Sequence, residues 1–265
     1  LPEERDRFAW LERLPAVIDD LQHRWSLTIH DPFLSEDVSC AWVALVALFD
    51  GAFAVLKIGM PHMEAEHEIQ GLQFWNGDPT VRLLAYDVEL NAMLLERCEP
   101  GTTLRALSGP EQDVVIASLL RRMWRTPGGQ HSFRPLSAML AQWTAETLAY
   151  APLWSNTGPD AGLVREGLRL FEELPRTAPA DVLLATDLHV GNVLRARREP
   201  WLVIDPKPFL GDPAYDATQY LFNCEDRLLA DPEGLIRRMA DLLEIDDQRL
   251  RLWTFARCAA EPRSD

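Results

Sequence analysis

The sequence predicts an α+β chain made of two unlike lobes: a small five-stranded antiparallel β lobe with one helix over residues 1–98, then a larger, mainly helical lobe over 99–265. Three observations carry this. Short β-rich runs crowd the first part of the chain, Glu99-Pro100-Gly101 reads as a linker, and apolar stripes at helical spacing fill most of the remainder.

An amphipathic helix opens the chain, roughly Glu3 to His23 on the period of its apolar residues. WSLTIHD, CAWVALVALFD and AFAVLKI follow as strands, with Asp50 and Gly51 as the hairpin turn between the last two. A charged helix from about Met63 to Trp75 comes next, then two further strands, VRLLAYD and AMLLER. Past the linker, AGLVREGLRLFEEL places Leu163, Val164, Gly167, Leu168, Phe171 and Leu174 on one core-facing stripe. Similar stripes lie near 110–125, 135–150, 213–223, 231–244 and 246–261. Only LLATDLHVGNVLRA and EPWLVIDP interrupt them, as short strands. A cleft between two such lobes is the expected place for a ligand.

The charge balance narrows the partners. With 26 basic and 41 acidic residues the net charge is −15, which opposes a phosphate-backbone partner and suits a cationic ligand. The four cysteines are far apart and form no CxxC pair, so neither a zinc site nor a disulfide framework is expected, and a reducing cytoplasm is the expected location. No apolar run approaches membrane-spanning length, and LPEERDRF lacks the build of a signal peptide. A monomer is expected. GxxxxGK[ST], GxSxG and HExxH are all absent, which sets aside P-loop, α/β-hydrolase and zinc-hydrolase chemistry.

The interrupted stretch LLATDLHVGNVLRA holds the chemistry. Asp187 and Asn192 are followed by Asp205 at the end of the apolar run WLVID. Singly, these are turn residues between buried strands. Together they are the set that phosphoryl transfer needs: a carboxylate to accept a hydroxyl proton, and an amide oxygen with a second carboxylate for Mg²⁺ on the phosphates. Such a site also needs a cation oriented by a helix carboxylate. The chain has only two lysines, Lys57 and Lys207; Lys57 ends a strand, and the next helix carries Glu64, Glu66 and Glu68. Where 24 other cations are arginine, a lysine at that point offers a compact, partly buried charge.

The segments VLKIG, HEIQGL, VRLL, MLLERCEPG, TDLHVGN and VIDPKPFLGDPAYDATQ resemble the aminoglycoside phosphotransferase family, which has a protein-kinase-like fold, and within it the streptomycin 6-kinase and hydroxyurea kinase group. The resemblance spans nearly the whole chain. It implies an ATP- and Mg²⁺-dependent phosphotransferase with Asp187 as catalytic base, Asn192 and Asp205 as Mg²⁺ ligands and Lys57 as the α/β-phosphate contact. Glu68 would pair with Lys57, with Glu64 and Glu66 as alternatives. Glu96 to Cys98 falls where the family's hinge meets adenine through backbone groups, and Asp216 would brace the catalytic loop. Two features depart from the family pattern. Ala185-Thr186 stands where His-Gly is common, and the nucleotide-covering turn, placed within FLSEDVSC, has no glycine.

Streptomycin is the substrate the resemblance and the acidic charge favour together. Carboxylates for its cationic groups are sought among Asp160, Glu166, Glu172, Glu173, Glu225 and Asp226 of the helical lobe. The alternatives are a kinase of another small molecule such as hydroxyurea, and a non-catalytic protein that keeps the fold and binds nucleotide or drug.

Overall fold

The computed structural model describes residues 2–33, 40–60, 66–150 and 160–260. In chain order the elements are α1 (Pro2–Arg24), β1 (Thr28–Pro32), β2 (Ala41–Ala47), β3 (Phe53–Gly59), α2 (Glu68–Trp75), β4 (Leu83–Asp87), β5 (Ala92–Glu96), α3 (Gly109–Met123), α4 (Leu136–Tyr150) and α5 (Ala161–Arg176). There follow β6 (Val182–Leu184), β7 (Val193–Arg195), β8 (Trp201–Val203), β9 (Phe209–Gly211), α6 (Pro213–Phe222), α7 (Glu225–Ala230), α8 (Pro232–Leu243) and α9 (Asp247–Ala260). The fold is the α+β one the sequence predicts.

One compact unit comprises Leu1–Thr103 with Val193–Lys207. Its sheet is five-stranded, in the order β1-β2-β3-β5-β4, with every pair antiparallel. The β2–β3 turn falls where the sequence puts it: Gly51 takes φ +83°, which a side chain would resist, and the Ala52 N–H donates to Asp50 Oδ1 at 2.9 Å. Strand period decides what each face does. Ala54, Leu56 and Ile58 of β3 pack with Leu14 and Leu21 of α1. The alternate residue Val55 packs with Ile69 and Leu72 of α2 and with Leu202 of β8. Lys57 shares the period of Val55 and therefore the α2 face.

Two boundaries differ from the sequence reading. Of the charged helix assigned to Met63–Trp75, residues 63–65 lie outside the described residues, Glu66 and His67 form a turn, and the helix begins at Glu68. What forms is a short helix with Glu68, Ile69, Gly71, Leu72 and Trp75 buried, held by packing rather than by a solvated charged face. The linker, moreover, does not end the first unit. Gly101 N–H donates to the Arg195 carbonyl and Arg195 N–H to the Thr102 carbonyl, at 3.0 and 2.8 Å, tying the β7–β8 hairpin to the first unit although it follows the helices in sequence.

The second unit comprises Leu104–Asn192 and Pro208–Asp265 and is mainly helical. Three of its helices start on side-chain caps: Ser108 and Glu111 form a reciprocal box at α3, Asp160 accepts from Gly162 and Leu163 N–H at α5, and Asp212 accepts from Ala214 N–H at α6. Close approach of α5 to α9 requires Gly167, where a Cβ would lie 3.1 Å from the Ala256 carbonyl oxygen. The short β6 pairs with β9, a strand the sequence reading did not mark.

Candidate active site

Each unit carries one cluster of the residues singled out by sequence. In the first, Lys57 Nζ donates to Glu68 Oε1 and Oε2 at 2.7 and 2.6 Å and to Asp205 Oδ1 at 2.5 Å. Lys207 Nζ lies 3.6 Å from Asp205 Oδ2, so both lysines of the chain flank one carboxylate. Lys57 and Glu68 are buried, 8% and 2% exposed, so neither charge could be kept without its partner. Burial opposes the Lys57 charge, but Asp205 and Glu68 outweigh it and hold the ammonium above its ordinary pKa. Burial also pushes the Glu68 carboxyl up, to about 7, against the pull of Lys57. For Asp205 burial works in the same direction, yet Lys57 and Lys207 overcome it and hold this acid below the usual carboxylate range. Asp205 is therefore the anion of the cluster, and it sits at φ +52°, a conformation Asp tolerates better than most residues. Glu66 precedes the helix in the turn; Glu64 lies outside the described residues.

The second cluster is the loop after β6. The Asp187 N–H donates to the Ala185 carbonyl at 2.8 Å, closing a tight turn around Thr186, whose φ of +50° is unfavourable for a β-branched residue. Asp216, in the first turn of α6 and fully buried, holds this turn in place. Its Oδ2 accepts from Ala185 N–H at 2.9 Å and its Oδ1 from Thr186 N–H at 2.6 Å, and Trp124 Nε1 donates to Oδ2 at 3.0 Å. Past the turn, Asn192 Nδ2 donates to the Asp187 carbonyl at 2.9 Å, which leaves the Asn192 amide oxygen as its acceptor. Gly191 N–H donates to His189 Nδ1 at 3.1 Å, a bond internal to the loop.

Oxygen donors of this kind suit a hard cation. Asn192 offers an amide oxygen and Asp205 a carboxylate, and Mg²⁺ commonly takes only one or two protein ligands beside phosphates and water. Among the described residues no group of three or more His, Cys, Asp or Glu could hold a metal. The two residues belong to different units.

The remaining candidates are placed as follows. Glu96 ends β5; its N–H donates to the Arg82 carbonyl, and its carboxylate takes Arg198 Nε and Nη2 at 3.0 and 2.9 Å. Burial pushes the Cys98 thiol up to about 12, so it stays protonated. The described part of FLSEDVSC is limited to its two ends, Phe33 and Cys40. Asp160 is committed to capping α5, and Glu166 pairs with Arg169 at 2.6 Å on the exposed face of the same helix. Glu172 pairs with Arg176 and Glu173 with Arg169 on the same helix, whereas Glu225 and Asp226 are exposed in the first turn of α7.

Two participants escaped the sequence reading. Lys207 was visible as the second of two lysines, two residues past Asp205, and its pairing follows from that proximity. Gln219 donates from Nε2 to Asp187 Oδ1 at 2.9 Å. Its only sequence signal is its place three residues after Asp216 on one helix, a spacing that shares a face.

Comparison with known proteins bears on the family and the fold. The sequence pattern of the aminoglycoside/hydroxyurea antibiotic resistance kinase family matches residues 24–262. A streptomycin 6-kinase of Streptomyces glaucescens is 36% identical over 256 residues, covering 94% of this chain and 82% of that protein. A hydroxyurea phosphotransferase of Kitasatospora aureofaciens is 34% identical over 262 residues, covering 94% and 72%. A solved spectinomycin phosphotransferase, in complex with ADP and spectinomycin, has the same fold, with a TM-score of 0.58, 13% identity and coverage of 93% and 85%.

Proposed function

From the premise that the chain belongs to the aminoglycoside/hydroxyurea antibiotic resistance kinase family, a family of phosphotransferases, we propose that it transfers the γ-phosphoryl group of ATP to a hydroxyl of a cationic aminoglycoside, streptomycin first. The observation that carries this reading is the Lys57 ammonium shared by Glu68 and Asp205. That arrangement fixes one cation for the nucleotide phosphates and one anionic carboxylate beside it, which a phosphate site requires and a generic binding protein does not.

Each residue then has a task. Lys57, oriented by Glu68, meets the α- and β-phosphates, and adenine pairs with backbone groups near Cys98, since the N–H and carboxylate of Glu96 are already committed. Asn192 and Asp205 would hold Mg²⁺, which offsets charge on the β- and γ-phosphates. Asp187 accepts a hydrogen bond from the acceptor hydroxyl, aligns its oxygen in line with the γ-phosphorus and takes its proton as the bond forms. Asp216 keeps that carboxylate in position by fixing the turn at Thr186. For the drug, Glu225 and Asp226 are better placed than Asp160 and Glu166, whose carboxylates already serve a helix cap and an ion pair.

Asp205→Ala is expected to weaken binding of the Mg²⁺–nucleotide complex itself, read by calorimetry with and without Mg²⁺; an affinity unchanged in both conditions removes Asp205 from the metal site. A charge-based substrate site has its own signature. Apparent affinity for streptomycin should fall as salt rises from low to physiological ionic strength, more steeply than affinity for a neutral acceptor, and streptomycin should raise the thermal midpoint. ADP release measured against streptomycin, hydroxyurea and a neutral hydroxyl compound tests the assignment. Turnover of the neutral compound alone, with no thermal shift from streptomycin, would make the acidic charge a solubility feature and end the streptomycin reading.

A further inference from the structure

Behind Asp187 lies a polar chain that the roles above do not use. Gln219 Nε2 donates to Asp187 Oδ1 at 2.9 Å, while its Oε1 accepts from Arg257 Nη2 at 3.1 Å. Arg257, on α9, is 4% exposed and also donates from Nη1 to Thr218 Oγ1 at 2.8 Å. Its guanidinium carbon lies 5.5, 5.2 and 4.9 Å from the ring centroids of Trp143, Tyr215 and Phe222. A caged arginine cannot rotate away, and it can only donate hydrogen bonds.

That restriction has a consequence for the amide. A glutamine side chain can present either its oxygen or its nitrogen to a neighbour, and only the nitrogen can bond a carboxylate. Because Arg257 claims Oε1, Nε2 is left to face Asp187. Holding Oδ1 fixes the plane of the Asp187 carboxylate, and with it the direction in which Oδ2 faces. The backbone of the loop is fixed separately by Asp216 and Asn192, neither of which restrains this side-chain torsion.

We propose that Gln219 is a positioning residue for Asp187 and that Arg257 locks the amide in the orientation that allows it. This rests on the reading of Asp187 as the base. Positioning of a reacting group is worth a large factor in rate and nothing in nucleotide binding.

The test compares two variants of the chain. Gln219→Met keeps length and removes the donor; Gln219→Glu keeps length and the acceptor for Arg257 but turns an oxygen toward Asp187. The expected result is a kcat about ten- to a hundredfold lower for Met and lower still for Glu, with the KM for ATP unchanged; Met also leaves the buried Arg257 Nη2 without this acceptor and so lowers the thermal midpoint, whereas Glu keeps that bond. A purely structural role gives the reverse order, since Glu preserves the bond to Arg257. Wild-type kcat in a folded Met variant, or a Glu variant more active than Met, overturns the proposal. Should a variant fail to fold, the side-chain amide resonance of Gln219 decides: it should move between wild type and Asp187→Ala, and an unmoved resonance overturns the proposal. An inactive wild type would instead defeat the phosphotransferase reading on which the positioning role rests, and the amide resonance would then report the Gln219–Asp187 contact alone.

Discussion

Asp187→Ala is expected to lower kcat by roughly 10²–10⁴-fold, the range for loss of a general base, while nucleotide affinity and the thermal midpoint stay close to wild type. The reason is where the carboxylate bonds. Asp187 Oδ1 takes one hydrogen bond from Gln219, and the loop itself is held through backbone groups by Asp216 and Asn192. Removing the side chain is therefore expected to cost the chemical step while the loop backbone stays held by Asp216 and Asn192. Stopped-turnover kinetics beside nucleotide calorimetry separates the outcomes, and parallel loss of binding and turnover would argue against the role.

The second large effect is on stability. Asp216→Ala strips the acceptor from two buried donors, Ala185 N–H and Thr186 N–H, and from the half-buried Trp124 Nε1–H. An orphaned buried donor costs about 1–3 kcal/mol, and partial water entry reduces the sum, so a loss of about 3–5 kcal/mol is expected, roughly 10 °C in thermal midpoint. The turn at Thr186, left-handed at φ +50°, also loses the bonds that hold it there, so kcat falls with stability. The effect has a pH signature. Burial pushes the Asp216 carboxyl up to about 6 from an ordinary 3.8, although its donors pull the other way. The native state thus binds the proton more tightly than the unfolded chain, and this group stabilises most below about pH 4 and progressively less as pH rises through 6. The stability gap between wild type and variant should narrow over that window in denaturant titrations. An unchanged midpoint, or a gap that widens with pH, would contradict the assignment.

What was legible in the sequence was local and periodic. Alternation along AFAVLK places Lys57 opposite Leu56 and Ile58, and the same alternation in the structure turns it to the α2 face, where Glu68 meets it. Helix caps at Ser108, Asp160 and Asp212 are also local, bonds across two or three residues, though the sequence reading did not mark them. What was not legible joins distant residues without a period. The start of α2 at Glu68 depends on burial of Ile69 and Leu72 beneath the sheet rather than on helix-forming charge. The attachment of β7 and β8 to the first unit depends on backbone bonds between Thr102 and Arg195, which leave no trace in either segment. The Arg198–Glu96 pair and the Arg257–Gln219–Asp187 chain join residues 102, 38 and 32 positions apart, and nothing in the sequence sets Arg198 or Arg257 off from the other arginines.

Phosphoryl transfer to a cationic drug, with Asp187 as the base, leaves a covalent product. Its most direct test is the mass of streptomycin recovered after incubation with the purified protein and Mg²⁺–ATP, beside an Asp187→Ala control. Streptomycin heavier by one phosphoryl group, with an equal amount of ADP in wild type and neither product in the control, is expected; unmodified streptomycin with no ADP, or equal phosphorylation by the control, would rule out Asp187-based transfer to this drug.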